Sequence, residues 1–103
     1  MTVRYLSKAQ SDLLTIRTWG DARWGQARTD DFIRSLVDAI GRLQGLPQLG
    51  RSREALTAGA RSIAHRGYVI VYKVEGDDIL VGAILHERRN LSALDFADRL
   101  EGE

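Results

Sequence analysis

The run His86-Glu87-Arg88-Arg89 sets an imidazole, a carboxylate and two guanidiniums at the end of an apolar stretch. Glu54, His65, Arg61 and Arg66 add groups of the same kinds elsewhere in the chain. Together these types suit metal-free cleavage of an RNA phosphodiester. A base (Glu54, His65 or His86) would take the 2′-hydroxyl proton, an acid would protonate the leaving oxygen, and the arginines would hold the phosphate. The plainer reading of His86 is a hydrogen-bonded side chain closing a strand, and titration near neutrality does not separate the two. Arg88 and Arg89 serve equally well to grip carboxylates on another protein.

Other motifs divide in the same way. Gly50-Arg51-Ser52-Arg53 could cradle a phosphate, but one glycine with two arginines reads more simply as a turn with solvated cations, or as a contact for an acidic partner. Asp77-Asp78 has no further ligands nearby and reads as a β-turn rather than a metal site. Trp24-Gly25 is either an exposed aromatic platform or a core anchor at a bend, and the tendency of large aromatics to bury favours the anchor.

Composition narrows the classes. The 103 residues suffice for one domain and one core, taken as residues 1–103. Net charge is +1, so overall electrostatics do not select nucleic acid over a protein partner. Lys8 and Lys73 are the only lysines, so arginine supplies nearly all the positive charge. Without cysteine there is no disulfide, thiolate nucleophile or Cys-based metal site. No long apolar run or leader pattern appears, which gives a cytoplasmic expectation with no membrane contact. No cofactor or metal is expected.

The elements that would position these groups follow from hydropathy period. Thr2 to Leu6 suits a short first strand. Ser7-Lys8-Ala9-Gln10 reads as a capping box, and Ala9, Leu13, Ile16 and Trp19 form a helical stripe behind it. Gly20 should weaken that helix by about 1 kcal/mol relative to Ala. Gly25 should end the helix after Trp24. From about Arg28, Phe32, Ile33, Leu36, Val37, Ile40 and Leu43 mark a second helix, stopped by Gly45 and Pro47. Beyond residue 60 the period becomes strand-like over 60–65, 68–74 and 79–85, with turns at Gly67 and Glu75-Gly76-Asp77-Asp78. Ser92 to Leu100 reads as a last short helix. The expected fold class is α+β: a helical hairpin on a small antiparallel sheet, in the order β-α-α-β-β-β with a short C-terminal helix.

This order, with the strings "SDLLTIRTWGDARWG", "LPQLGRSREALTAGARS", "YVIVYKV" and "ILVGAILHERRNL", resembles the ParE toxins of the ParE/RelE toxin–antitoxin superfamily over essentially the whole chain. The combination Arg23-Trp24-Gly25, Pro47, Gly50-Arg51, Gly59, Arg61-Ser62, Tyr72 and His86 carries the specificity. Gly20 and Trp19 are small departures from the usual pattern.

The resemblance implies the toxin half of a bacterial type II pair that inhibits DNA gyrase by binding, with no catalytic residues. A ParD-like antitoxin would neutralise it, and the antitoxin rather than this chain would read operator DNA. Antitoxin contacts are expected at Arg51, Arg53, Arg61 and Trp19. Target contacts are expected at Arg88, Arg89, Leu94 and Phe96, with the terminal segment either docked on the sheet or free. The alternative is the RelE type, a ribosome-dependent mRNA endoribonuclease. That branch usually carries a basic residue near the position of Tyr68 and an aromatic or His acid at the chain's end. Here 68–71 is apolar and no Tyr or His follows Arg89.

Overall fold

The switch from helical to alternating hydropathy near residue 60 is also the boundary between helices and sheet in the computed structural model, which describes residues 1–89, 91, 94 and 96–101. The order is β1 (Thr2–Tyr5), α1 (Ser7–Trp24), α2 (Gln26–Gly41), a 3-10 turn (Arg42–Gln44), β2 (Arg51–Ser52), β3 (Arg61–His65), β4 (Tyr68–Glu75), β5 (Asp78–His86) and α3 (Phe96–Glu101). The strands form one sheet in the order β1-β5-β4-β3-β2. The α+β class and the helical hairpin therefore stand.

The sheet is mixed rather than antiparallel. β1 runs parallel to β5, from Thr2 opposite Asp78 to Tyr5 opposite Val81. A parallel neighbour needs a long crossover, and everything from α1 to β4 supplies it. Four residues of alternating pattern carry no signal for direction. The two-residue β2, which pairs Arg51 with Ser62, lay below the length at which a pattern is readable.

The α1–α2 bend is built around two glycines with different tasks. Gly25 has φ +86, a conformation L side chains avoid, so it breaks the helix after Trp24. The second helix restarts at once, at Gln26 rather than Arg28. Gly20 has a different task from the one its helix propensity suggests. A Cβ there would lie 2.7 Å from Thr29 Oγ1, and Thr29 is fully buried, so Gly20 lets the two helices touch. Thr29 Oγ1 in turn donates to the Gly25 carbonyl at 3.0 Å. Gly20→Ala should therefore destabilise by about 1–3 kcal/mol despite the better helix former. Thr29→Ala in the same chain should return much of the loss in urea titrations.

At the start of α1 the capping box is not as expected. The helix begins at Ser7 itself, with extended Leu6 in the cap position and no side-chain cap hydrogen bond. Gln10 does reach back, but its Nε2 donates to the Tyr5 carbonyl at 2.7 Å.

Two cores lie on the two faces of the sheet. Under the hairpin, Ala9, Ile16, Leu36, Ile40 and Leu43 pack on Ile70, Tyr72, Ile79, Val81 and Ile84. On the other face Val71, Ala83 and Leu85 meet Ala60, Phe96 and Leu100. Val81 and Ile84 share a face although three residues apart, because the β4–β5 register shifts there: Val71 faces Ala83, and Tyr72 faces Val81. Gly82 is the extra residue of this bulge. A Cβ on it would meet Leu100 Cδ2 at 2.5 Å, so its lack of a side chain seats α3 on the sheet.

Candidate functional site

A single buried phenol organises the connector between α2 and β3. Tyr72 is wholly buried, its hydroxyl donating to the Pro47 carbonyl at 2.9 Å and accepting from the Gly50 N–H at 2.8 Å. A Cβ on Gly50 would fall 2.6 Å from that hydroxyl. Arg61 Nη1 donates to the Gly50 carbonyl at 2.7 Å. Pro47, Gly50, Arg61 and Tyr72 are thus one structural knot, and the glycine there serves close packing rather than a phosphate. Arg53 is likewise engaged: its Nε donates to Ser62 Oγ at 2.8 Å, and burial followed by the charge of Arg51 pushes its pKa down. Arg51 stays exposed.

β2 covers only Arg61 and Ser62 of β3, so residues 63–65 have no strand partner on that side among the described residues. Beside this open edge lies a cleft of about 340 Å³ lined by Ala39, Arg42, Leu49, Arg51 and Ile63. Leu46 and Leu49, exposed by 59% and 54%, follow in the connector. An unpaired edge flanked by apolar side chains and cations suits an extended peptide with acidic residues.

A second cleft, about 420 Å³, opens between α1 and the end of β5. Ile16, Trp19, Tyr68, Ile84, His86 and Arg89 line it. Trp19 therefore sits with Arg89 and not with Arg51, Arg53 or Arg61, so the four expected antitoxin residues do not share one cleft. Trp24 is no core anchor: it is 36% exposed and meets Trp19 edge-on at 5.0 Å between ring centroids. The exposed-platform reading fits it better.

The acid–base candidates do not converge. Glu54 Oε2 accepts the Gly59 N–H at 2.5 Å within the connector. His65 Nε2 lies 2.9 Å from Ser35 Oγ on α2. His86 Nδ1 accepts the Arg88 N–H at 3.2 Å, which puts any ring proton on Nε2, and its ring packs edge-on against Tyr68. Glu54 and Arg61 line a cleft separate from that of His86 and Arg89. Each group is held in a local structural bond. Among the described residues, no three His, Cys, Asp or Glu side chains gather as a metal site.

His65 titrates below its usual 6.5, first through desolvation and then through the charges of Arg66 and Arg42. The unfolded chain therefore binds this proton more readily than the folded one. The resulting stability is complete above 6.5 and is lost as pH falls from there through the lower folded value. His65→Gln should flatten the fall in melting temperature between neutral and mildly acid pH.

The four residues expected to contact the target differ in exposure. Arg88 and Arg89 are exposed on the turn after β5. Leu94 is half-buried, and Phe96 is 1% exposed in the second core, so Phe96 cannot meet a partner without unfolding α3. Of the two arrangements open for the terminal segment, Phe96 and Leu100 take the docked one. Ser92, the expected cap, lies outside the described residues. Sequence reasoning missed Asp12 and Arg99. Asp12 Oδ2 accepts from both the Ile84 N–H and Arg99 Nη1 at 2.9 Å, and Arg99 also donates to the Gly82 carbonyl at 3.1 Å.

The sequence family described as "ParE toxin of type II toxin-antitoxin system, parDE" matches residues 3–91. The chain belongs to the ParE toxin family. It is 32% identical over 90 residues to Toxin ParE1 of Caulobacter vibrioides, covering 87% of this chain and 93% of that one. It is 30% identical over 94 residues to Toxin ParE1 of Mycobacterium tuberculosis, covering 88% and 96%. Among solved structures, the chromosomal ParDE TA system from P. aeruginosa superposes with a TM-score of 0.73 at 20% identity, covering 84% of this chain and 95% of that one. At that identity the likeness concerns the fold. Four of the spaced residues that suggested the family, Pro47, Gly50, Arg61 and Tyr72, form the knot that fixes its connector. No helix among the described residues is long and apolar enough to cross a membrane.

Proposed function

We propose that this ParE-family toxin acts in the cytoplasm by binding rather than by cleaving. It stalls DNA gyrase on cut DNA, and a ParD-like antitoxin holds it in check; such a pair would serve plasmid or chromosome maintenance. The observation that carries this reading is the engagement of Glu54, His65 and His86 in separate local bonds, none sharing a cleft with another. A ribonuclease needs its base, acid and phosphate-binding cations around one phosphodiester. Binding needs only surfaces. Arg51 beside the open β3 edge and the Arg88-Arg89 turn after β5 offer two separate ones.

In this reading the antitoxin tail lies along the β3 edge and the outer hairpin, its carboxylates against Arg42 and Arg51. Arg53 and Arg61 contribute through free faces of guanidiniums already anchored to Ser62 and Gly50. Trp19 meets the antitoxin only if the tail also crosses the end of α1. Arg51→Glu is the cleanest test because among the described residues Arg51 makes no side-chain contact comparable to that of Arg61. It should weaken the toxin–antitoxin complex by on the order of 1–3 kcal/mol, between a rim charge and a desolvated pair. Calorimetric titration with the antitoxin tail would measure it, and unchanged affinity would move the tail to another face.

A further inference from the structure

We propose that the arginine-rich end of this molecule is a binding surface for single-stranded nucleic acid, read without sequence preference. The register places His65 opposite Tyr68 and Tyr68 opposite His86, so the β3–β4 turn and the end of β5 lie together. Phe32 touches Tyr68, bringing the α1–α2 bend to the same end. There the rings form a continuous row. Trp24 meets Phe32 at 5.8 Å, Phe32 meets Tyr68 at 5.4 Å, and Tyr68 meets His86 at 5.4 Å, with Trp19 on Trp24 at the outer end.

Cations lie close to this row. Arg23 lies 4.9 Å from the Trp19 ring centroid. Arg28 and Arg66 share a cleft of about 250 Å³ with Trp24 and Phe32, and Arg89 lines the larger cleft with Trp19, Tyr68 and His86. Arg88 stands on the adjoining turn. Among the described residues none of these five arginines has a carboxylate within ion-pair distance. Most of the nearby acids are engaged elsewhere: Asp21 and Asp30 pair with Arg17, Asp31 with Arg34 and Asp12 with Arg99, while exposed Glu87 stands on the same turn as Arg88 and Arg89. Glu75, Asp77 and Asp78 sit at the opposite end of the β4–β5 hairpin. Five of the fifteen lysines and arginines of a chain with net charge +1 thus lie beside its aromatic rings without an ion-pair partner among the described residues.

Rings strung in a row beside cations match a polymer whose flat bases and phosphates recur together. A protein hot spot is also rich in Trp, Tyr and Arg, but it clusters them in one well-packed centre rather than stringing them in a row. A duplex keeps its bases stacked and withholds their faces, so a single strand fits better. The inference goes beyond gyrase binding and does not depend on which protein is the target.

The test uses the wild-type chain first. Its two tryptophans are Trp19 and Trp24, so tryptophan emission reports this face alone. Titration with a short labelled oligothymidylate at low salt should quench that emission as anisotropy rises, and affinity should fall steeply with salt. Trp19→Ala and Trp24→Ala should each weaken binding roughly 5- to 150-fold. Arg66→Ala and Arg89→Ala should each reduce the salt slope by about 0.7. Arg4→Ala, at the acidic end beside Asp78, should leave it unchanged. Absence of binding at low salt, binding without quenching, or equal loss in Arg4→Ala would overturn the proposal. So would equal quenching by the matching duplex. Quenching by a polyglutamate peptide and not by the oligonucleotide would reassign the face to an acidic protein.

Discussion

Phe96→Ala should cost roughly 3–5 kcal/mol of folding stability, the range for truncating a large buried aromatic. Total stability of a domain this size is about 5–15 kcal/mol, so the variant should be close to unfolding. The reason is position. Phe96 and Leu100, 1% and 2% exposed, are what cover Val71, Ala83 and Leu85 on the face the helical hairpin does not reach. A urea titration should show a much lower midpoint with an unchanged slope. Truncation after Asn90 would strip the same cover, so it cannot serve as a clean probe of target binding. Arg88→Ala/Arg89→Ala, on exposed side chains, is the better one.

Asp12→Ala should cost roughly 2–4 kcal/mol, somewhat under the value for breaking a fully buried pair. Asp12 and Arg99 side chains are each 13% exposed, which leaves little water to replace the lost partner. The register of β1 ends at Tyr5 opposite Val81, so beyond it β5 has no strand neighbour on that side among the described residues. Asp12 accepts the Ile84 N–H and Arg99 takes the Gly82 carbonyl at this bare edge. Removing the carboxylate leaves a buried guanidinium and a backbone donor unmatched at once. Amide exchange should rise most at Ile84 and along α3. Uniform protection across the protein, equal to wild type, would show that the pair is not what closes this edge.

The α1–α2 bend, the central strand β4 and the meander were legible because each rests on local chemistry: a glycine at positive φ, a β-branched run, two turns. The direction of β1 was not, since a parallel partner more than seventy residues away leaves no mark on four residues. Gly82 did leave a mark, as a lone glycine inside a strand pattern, which signals a bulge or a close approach. Gly20 shows why propensity misled: its cost in α1 is local, while its benefit lies across the interface at Thr29. Trp24 was assigned to the core by residue type, and Phe96 to a binding surface by its place on the terminal segment. An aromatic at a helix bend faced solvent, and one on a terminal segment became core. Arg51 and the Arg88-Arg89 turn were readable as exposed cations. The engagement of Arg53 and Arg61 in the connector was not, because it depends on β2 pairing with β3.

The most direct measurement is a supercoiling assay with purified gyrase and relaxed plasmid, run beside ribosome-dependent mRNA cleavage. It should use the wild-type chain and a Glu54→Gln/His65→Gln/His86→Gln variant shown to be folded. The binding account predicts loss of supercoiling with accumulation of cut, gyrase-bound DNA for both proteins, and no mRNA cleavage by either. A general acid or base would contribute about 10²–10⁴-fold in rate. Undiminished supercoiling with mRNA cuts that vanish in the triple variant would contradict the account.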